Sequence, residues 1–146
     1  MKFQQSSAPQ KEKLKVILDS NALFIPLRFK MDIFEELRNL LNRNVEFVLL
    51  SPVKRELETL AEKGSPKTRK EAAYALKLAE KCRVVDLGES CEGSPDDAIV
   101  KVAREWRNPV FTNDKALRKR LRDINVPVIY VRQKSRLEIE GGCNLV

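Results

Sequence analysis

The chain contains no histidine. That absence removes Ser-His and Cys-His nucleophile pairs, imidazole general acid–base chemistry and nearly every zinc-enzyme ligand pattern. The three cysteines, Cys82, Cys91 and Cys143, are too few and too scattered for a four-thiolate zinc site. An odd number outside a secreted context reads as reduced thiol. A Cys82–Cys91 bridge is open only if the source is a hyperthermophile, at which the abundant Lys, Glu and Arg hint. With five glycines and nothing resembling GxGxxG or GxxxxGK[ST], a nucleotide-binding α/β domain is a poor fit. No apolar run approaches the roughly 20 residues of a membrane span. The polar opening "MKFQQSSAPQKEK" lacks the apolar centre of a signal peptide, so a cytoplasmic protein is expected.

What is present suits one globular domain. The length is 146 residues, with 42% hydrophobic and 34% charged, enough apolar material for a single core. The expected organisation is a polar tail over 1–13, a domain over 14–136 and a C-terminal tail over 137–146. Strand-like runs occur at Leu14–Leu18, Glu46–Leu50, Arg83–Leu87, Pro109–Thr112 and Pro127–Val131. Helical patterns lie between them. "MDIFEELRNLLNR" aligns Ile33, Phe34, Leu37, Leu40 and Leu41 on one face. Ser51-Pro52, Ser65-Pro66 and Ser94-Pro95 each offer a serine cap before a proline at the first helical position. A last helix is expected from about Asp114 to Asp123. Alternating strands and helices predict an α/β fold, a parallel sheet with helices on both faces.

Ligand sites in open parallel sheets form beyond the carboxyl ends of the strands. In "VILDSNALF" the first strand runs straight into Asp19, and "VFTND" places Asp114 after the fourth. Helical periodicity sets Glu56 of "SPVKRELETLA" at the border of its apolar stripe, roughly 85° from the centre. By the same periodicity Asp96 of "SPDDAIVKVAREW" lies roughly 90° off its stripe, whereas Asp97 points almost opposite the centre. Singly, each acid has an ordinary explanation as turn acceptor, helix cap or first-turn charge. Together they demand more, because two carboxylates about 4 Å apart repel by roughly 4 kcal/mol at an effective dielectric of 20. A hard divalent cation, Mg²⁺ or Mn²⁺, relieves such repulsion in an all-carboxylate, histidine-free site. Asn21 and Thr112 are short polar neighbours suited to a supporting role, or simply to turn and cap duties.

Charge is unevenly placed. The net charge is +7. The stretch 115–136 carries Lys115, Arg118, Lys119, Arg120, Arg122, Arg132, Lys134 and Arg136 against one acid, Asp123. The rest of the chain is neutral, so the whole surplus lies here, as a nucleic-acid-facing patch or as a solvated basic helix. A carboxylate-held cation beside a basic surface points to phosphodiester chemistry, for which such an ion activates water and neutralises developing charge.

These motifs resemble the PIN-domain nucleases. "VILDSNALF" is similar to that family's first-strand motif, "VKREL" to its second acid, "DDAIVKVA" to its third and "VFTNDKAL" to its fourth. The third acid of the family pattern stands three residues before the Ile, which again selects Asp96. The resemblance implies a single PIN-like domain with a parallel five-stranded sheet in order 3-2-1-4-5. It implies Asp19, Glu56, Asp96 and Asp114 as catalytic residues and ligands of one or two Mg²⁺ or Mn²⁺ ions, with Asp97 as a further candidate. It also implies endoribonuclease activity and frequent homodimers. "RDINVPVIYVRQKSRLEIEG" is similar to the end of PIN nucleases of the small-subunit processome, which implies ribosomal RNA maturation and a pre-ribosomal RNA partner. The alternatives are a toxin-type ribonuclease partnered by an antitoxin, or an RNA-binding module with little catalysis. One position departs from many relatives: Ala116 stands where a further acid is common, which puts a second metal in doubt.

Overall fold

Burial of the first strand sets the architecture. In the computed structural model, which describes residues 13–88 and 93–141, β1 (Leu14–Leu18) has Val16, Ile17 and Leu18 wholly buried. Successive strand side chains point to opposite faces, so three buried in a row require cover on both sides of the sheet. β2 (Val45–Leu50) repeats the pattern, with Phe47 to Leu50 all buried. The remaining elements are α1 (Ser20–Phe29), α2 (Ile33–Leu41), α3 (Ser51–Lys63), α4 (Pro66–Leu78) and β3 (Arg83–Val85). They continue with α5 (Pro95–Trp106), β4 (Val110–Phe111), α6 (Lys115–Asp123), β5 (Val128–Arg132) and β6 (Arg136–Glu140). The sheet order is β3-β2-β1-β4-β5-β6. The first five strands are parallel and follow the expected 3-2-1-4-5 order.

The sheet has six strands rather than five. β6 pairs antiparallel with β5, Ile129 opposite Ile139 and Arg132 opposite Arg136. It takes up residues 137–140, which the sequence pattern leaves in the C-terminal tail. The joining loop contains neither Gly nor Asn, although Gln133 and Lys134 both adopt φ +57°, the left-handed region those residues favour. The usual hairpin signal is therefore missing while its geometry is kept.

Two local outcomes differ from the sequence pattern. α1 forms despite Pro26 in its interior, carried by the buried run Ala22, Leu23, Phe24 and Ile25. Arg28 near its end binds Glu71 of α4 through two nitrogens, at 3.1 and 3.3 Å. Ser65 and Ser94 cap α4 and α5 as expected, but Ser51 does not cap α3. Leu50 holds that position, and Ser51 Oγ instead accepts the Leu87 N–H at 3.0 Å. Diverting that N–H to a side chain fits with β3 ending at Val85 rather than Leu87.

Cys82 is half-buried, and burial pushes its thiol up to about 12, so it is an inert thiol. Residues 1–12 of the tail expected over 1–13, the Cys91 half of the Cys82–Cys91 bridge, and Cys143 lie outside the described residues.

Candidate active site

Because β1, β2 and β4 are parallel, the segments that leave their carboxyl ends emerge at one rim of the sheet. Asp19 follows β1, Thr112 to Asp114 follow β4, and α3 with Glu56 follows β2. The first turn of α5 adds Asp96 and Asp97.

Asp19 is the most enclosed of these acids, only 3% exposed. Its carboxylate accepts three hydrogen bonds. Ser20 N donates to Oδ1 at 2.7 Å, while Thr112 Oγ1 and Asn21 Nδ2 donate to Oδ2 at 2.7 and 2.8 Å. Donors of this kind favour the ionised form. Burial nevertheless prevails and raises the carboxyl from an ordinary 3.8 to about 6. The Thr112 and Ser20 bonds oppose that rise, while the charges of Asp96 and Glu56 add to it. Asp96 is also raised, first by burial and then by the charge of Asp114, with Arg120 acting against both. Glu56, Asp19, Asp96 and Asp114 thus form a run of mutually repelling neighbours. As placed, no three acids or thiols among the described residues form a group that could hold a metal ion.

Asp97 has other work. It is exposed, its Oδ2 closes a capping box on Ser94 N at 3.1 Å, and its Oδ1 pairs with Arg120 at 3.0 Å. Its carboxyl is lowered, chiefly by the Ser94 backbone bond and then by Arg120. Asp114 caps α6, its Oδ1 accepting from Leu117 N at 3.0 Å.

Sequence reasoning missed Asn113. Its backbone N–H donates to Asn21 Oδ1 at 3.0 Å, and its own Oδ1 accepts from Val131 N on β5 at 2.8 Å. A backbone N–H can only donate, so the Asn21 oxygen must face Asn113 and its NH₂ must face Asp19 and Thr112. The orientation of Asn21 is fixed by geometry. The only signal for Asn113 was its place in "VFTND", between two residues already singled out.

The basic stretch is less free than its composition implies. Arg118 and Arg122 pair with Glu140, at 3.0 and 3.8 Å, and Arg132 and Arg136 pair with Glu138. Lys119 pairs with Asp123 and Arg120 with Asp97. Arg118 also lies over the Tyr130 ring at 4.0 Å. Of the eight, Lys115 and Lys134 alone are without an ion pair among the described residues. The neutralising Glu138 and Glu140 stand just past the stretch, and β6 carries them back beside it.

Residues 16–134 match the family described as PIN like domain. The chain belongs to that family. Ribonuclease VapC4 from Methanocaldococcus jannaschii is 37% identical over 128 residues, covering 87% of this chain and 97% of that protein. Ribonuclease VapC9 from Archaeoglobus fulgidus is 30% identical over 124 residues, covering 85% and 87% respectively. Among solved structures, that of the PIN domain endonuclease Utp24 superposes with a TM-score of 0.74 at 28% identity, covering 90% of this chain and 95% of that one. The chain is thus a single PIN-like α/β domain with a mostly parallel six-stranded sheet.

Proposed function

We propose that this PIN-like domain is a divalent-metal-dependent endoribonuclease acting on structured RNA, with a ribosomal RNA precursor as its substrate class. One observation carries the reading. Acids from four separate segments lie along one rim, forming no ion-holding group as placed but near enough to feel one another's charge, and the innermost, Asp19, is raised to about 6 by burial, with the charges of Asp96 and Glu56 adding to the rise. The donor set suits a hard cation: every candidate ligand is a carboxylate oxygen, and the chain has no histidine to offer. Asp19, Glu56, Asp96 and Asp114 would hold Mg²⁺ or Mn²⁺, one ion or two, which when bound supplies activated water and charge neutralisation at the phosphate. Asp97, bound to Ser94 and Arg120, has the weaker claim as a ligand.

The protein's own residues do the positioning. Ser20, Asn21 and Thr112 hold the plane of the Asp19 carboxylate, and Asn113 holds Asn21. Lys115 and Lys134 are the cations of the basic stretch ready to meet phosphate, and the six arginine and lysine residues around them join only by exchanging their acid partners. The kinship with proteins named ribonucleases and the likeness to the Utp24 endonuclease support the reaction class.

Asp19→Asn tests the proposal. Lost cleavage with RNA binding retained supports it; cleavage at the wild-type rate eliminates the acid cluster as its source, and a wild type that binds RNA without cutting it is an RNA-binding module. A toxin-type ribonuclease held by an antitoxin is the second reading, favoured by the VapC names of both relatives. A short antitoxin-like reading frame immediately upstream supports that reading, and its absence supports the maturation role.

A further inference from the structure

A shallow groove of about 470 Å³ runs between α3 and the start of α5, lined by Pro52, Arg55, Glu56, Thr59, Leu60 and Pro95. We infer that it is a nucleotide subsite, holding the RNA residue adjacent to the bond that is cut. The inference rests on the ribonuclease reading and adds where the flanking nucleotide lies.

Glu56 belongs to both places. It forms part of the groove wall, and its charge reaches the buried Asp19 carboxyl. Whatever occupies the groove is therefore next to the acids. The other lining residues have the mixed character a nucleotide needs. The rings of Pro52 and Pro95 and the side chain of Leu60 offer apolar faces to a base and ribose. Thr59 offers a hydroxyl. Arg55 is exposed and has no acid partner among the described residues, unlike most of the 115–136 stretch. An unpaired guanidinium beside a cluster of acids is where a phosphate can be drawn in against their field.

Among the described residues the groove is lined by no aromatic side chain, and its polar side chains are one guanidinium, one hydroxyl and one acid. Contact through apolar faces and backbone phosphate distinguishes bases poorly, so the subsite is expected to tolerate any base.

The test needs neither metal nor cleavage. A fluorescein-labelled single-stranded RNA decamer is titrated in EDTA with wild type, Arg55→Ala and Arg55→Lys, followed by anisotropy at several salt concentrations. Arg55→Ala is expected to weaken binding about tenfold and to lower the salt slope by about 0.7, the loss of one phosphate contact on a single strand. Arg55→Lys should recover most of both. In parallel, the unlabelled decamer should shift the amide signals of Arg55, Thr59 and Leu60. Wild-type affinity in Arg55→Ala, or shifts confined to α6 and the β5–β6 hairpin, overturns the subsite while leaving a cutting wild-type enzyme intact. A groove that ignores RNA would serve a protein partner instead. A wild-type chain that neither binds nor cuts RNA overturns both proposals.

Discussion

Thr112 donates its hydroxyl hydrogen to Asp19 Oδ2 at 2.7 Å, joining residues 93 apart in sequence. The Thr112 Oγ1 in turn accepts from Asp114 N at 3.0 Å and from Asn21 Nδ2 at 3.2 Å. Thr112 is wholly buried, so an isosteric Thr112→Val change strands the Asp114 N–H and takes one of two bonds from Asp19 Oδ2 and from the Asn21 NH₂, which keep only the bond between them. Leaving such groups unpaired costs about 1–3 kcal/mol each, and relaxation should recover part of it. The expected result is an unfolding free energy lowered by that order and RNA cleavage reduced at least tenfold, with Thr112→Ser restoring both. A valine variant that cuts at the wild-type rate removes the hydroxyl from any part in holding Asp19.

Burial of Asp19 makes a prediction about acidity. Its carboxyl stands at about 6 when folded against an ordinary 3.8. The folded chain therefore binds this proton more tightly than the unfolded chain. The stability so contributed is complete below about pH 4 and is lost as pH rises through about 6. The gap corresponds to about 3 kcal/mol. Asn cannot ionise, so Asp19→Asn should gain on wild type as pH climbs from about 4 to 7, by several degrees in Tm. Melting both proteins in EDTA across that range checks it. A constant difference between them means that Asp19 titrates like a solvated acid.

How much of this was legible beforehand follows from the kind of signal involved. Apolar runs and their periodicity announce β1 and β2, and a carboxylate set against the end of such a run is conspicuous, hence Asp19 and Asp114. Helical angles separate half-buried Asp96 from exposed Asp97 because both lie on one regular helix. Signals carried by backbone geometry did not show. The β5–β6 hairpin turns through left-handed Gln133 and Lys134 without the residues that favour it, so β6 was left in the tail. Pro26 obscured α1, whose stability comes from buried packing rather than propensity. The Asn113 link runs from a backbone N–H on one side to a backbone N–H on the other, and no spacing rule anticipates that.

Electrostatics divides the 115–136 stretch into two functional groups. Arg118 sits between Glu140 and the Tyr130 ring and is only 22% exposed in its side chain, so it serves mainly to fasten α6 to the last two strands. Lys115 and Lys134 are exposed and without an ion pair among the described residues. Arg118→Ala should therefore lower Tm by a few degrees. Lys115→Ala with Lys134→Ala should leave Tm near wild type, weaken RNA binding for all sequences and lower the salt slope by about 0.7 per lost phosphate contact. Thermal melts and anisotropy titrations distinguish the two. Equal losses of affinity per charge removed, whichever residue is changed, would show that the ion pairs give way on contact with RNA.

Asn21 gives the most exacting test of how Asp19 is held. Asn113 N fixes the Asn21 oxygen at 3.0 Å, leaving the NH₂ no direction but toward Asp19 Oδ2 at 2.8 Å and Thr112 Oγ1 at 3.2 Å. Asn21→Asp keeps the shape and swaps that donor for an oxygen. Two carboxylates at this separation cannot both stay ionised in a buried setting without a large penalty, so one must bind a proton. The pair should therefore take up a proton that the unfolded chain releases near pH 4. Its stability deficit relative to wild type should grow between pH 5 and 7, the direction in which a raised carboxyl pKa loses its contribution. Asn21→Ala removes a donor to the ionised form without adding charge, so its deficit should grow less over the same range. Melting curves of both variants in EDTA at pH 5 and pH 7 compare them directly. Parallel deficits at the two pH values would mean that the Asn21 NH₂ does not face Asp19, and the arrangement from Val131 through Asn113 to the carboxylate would have to be redrawn.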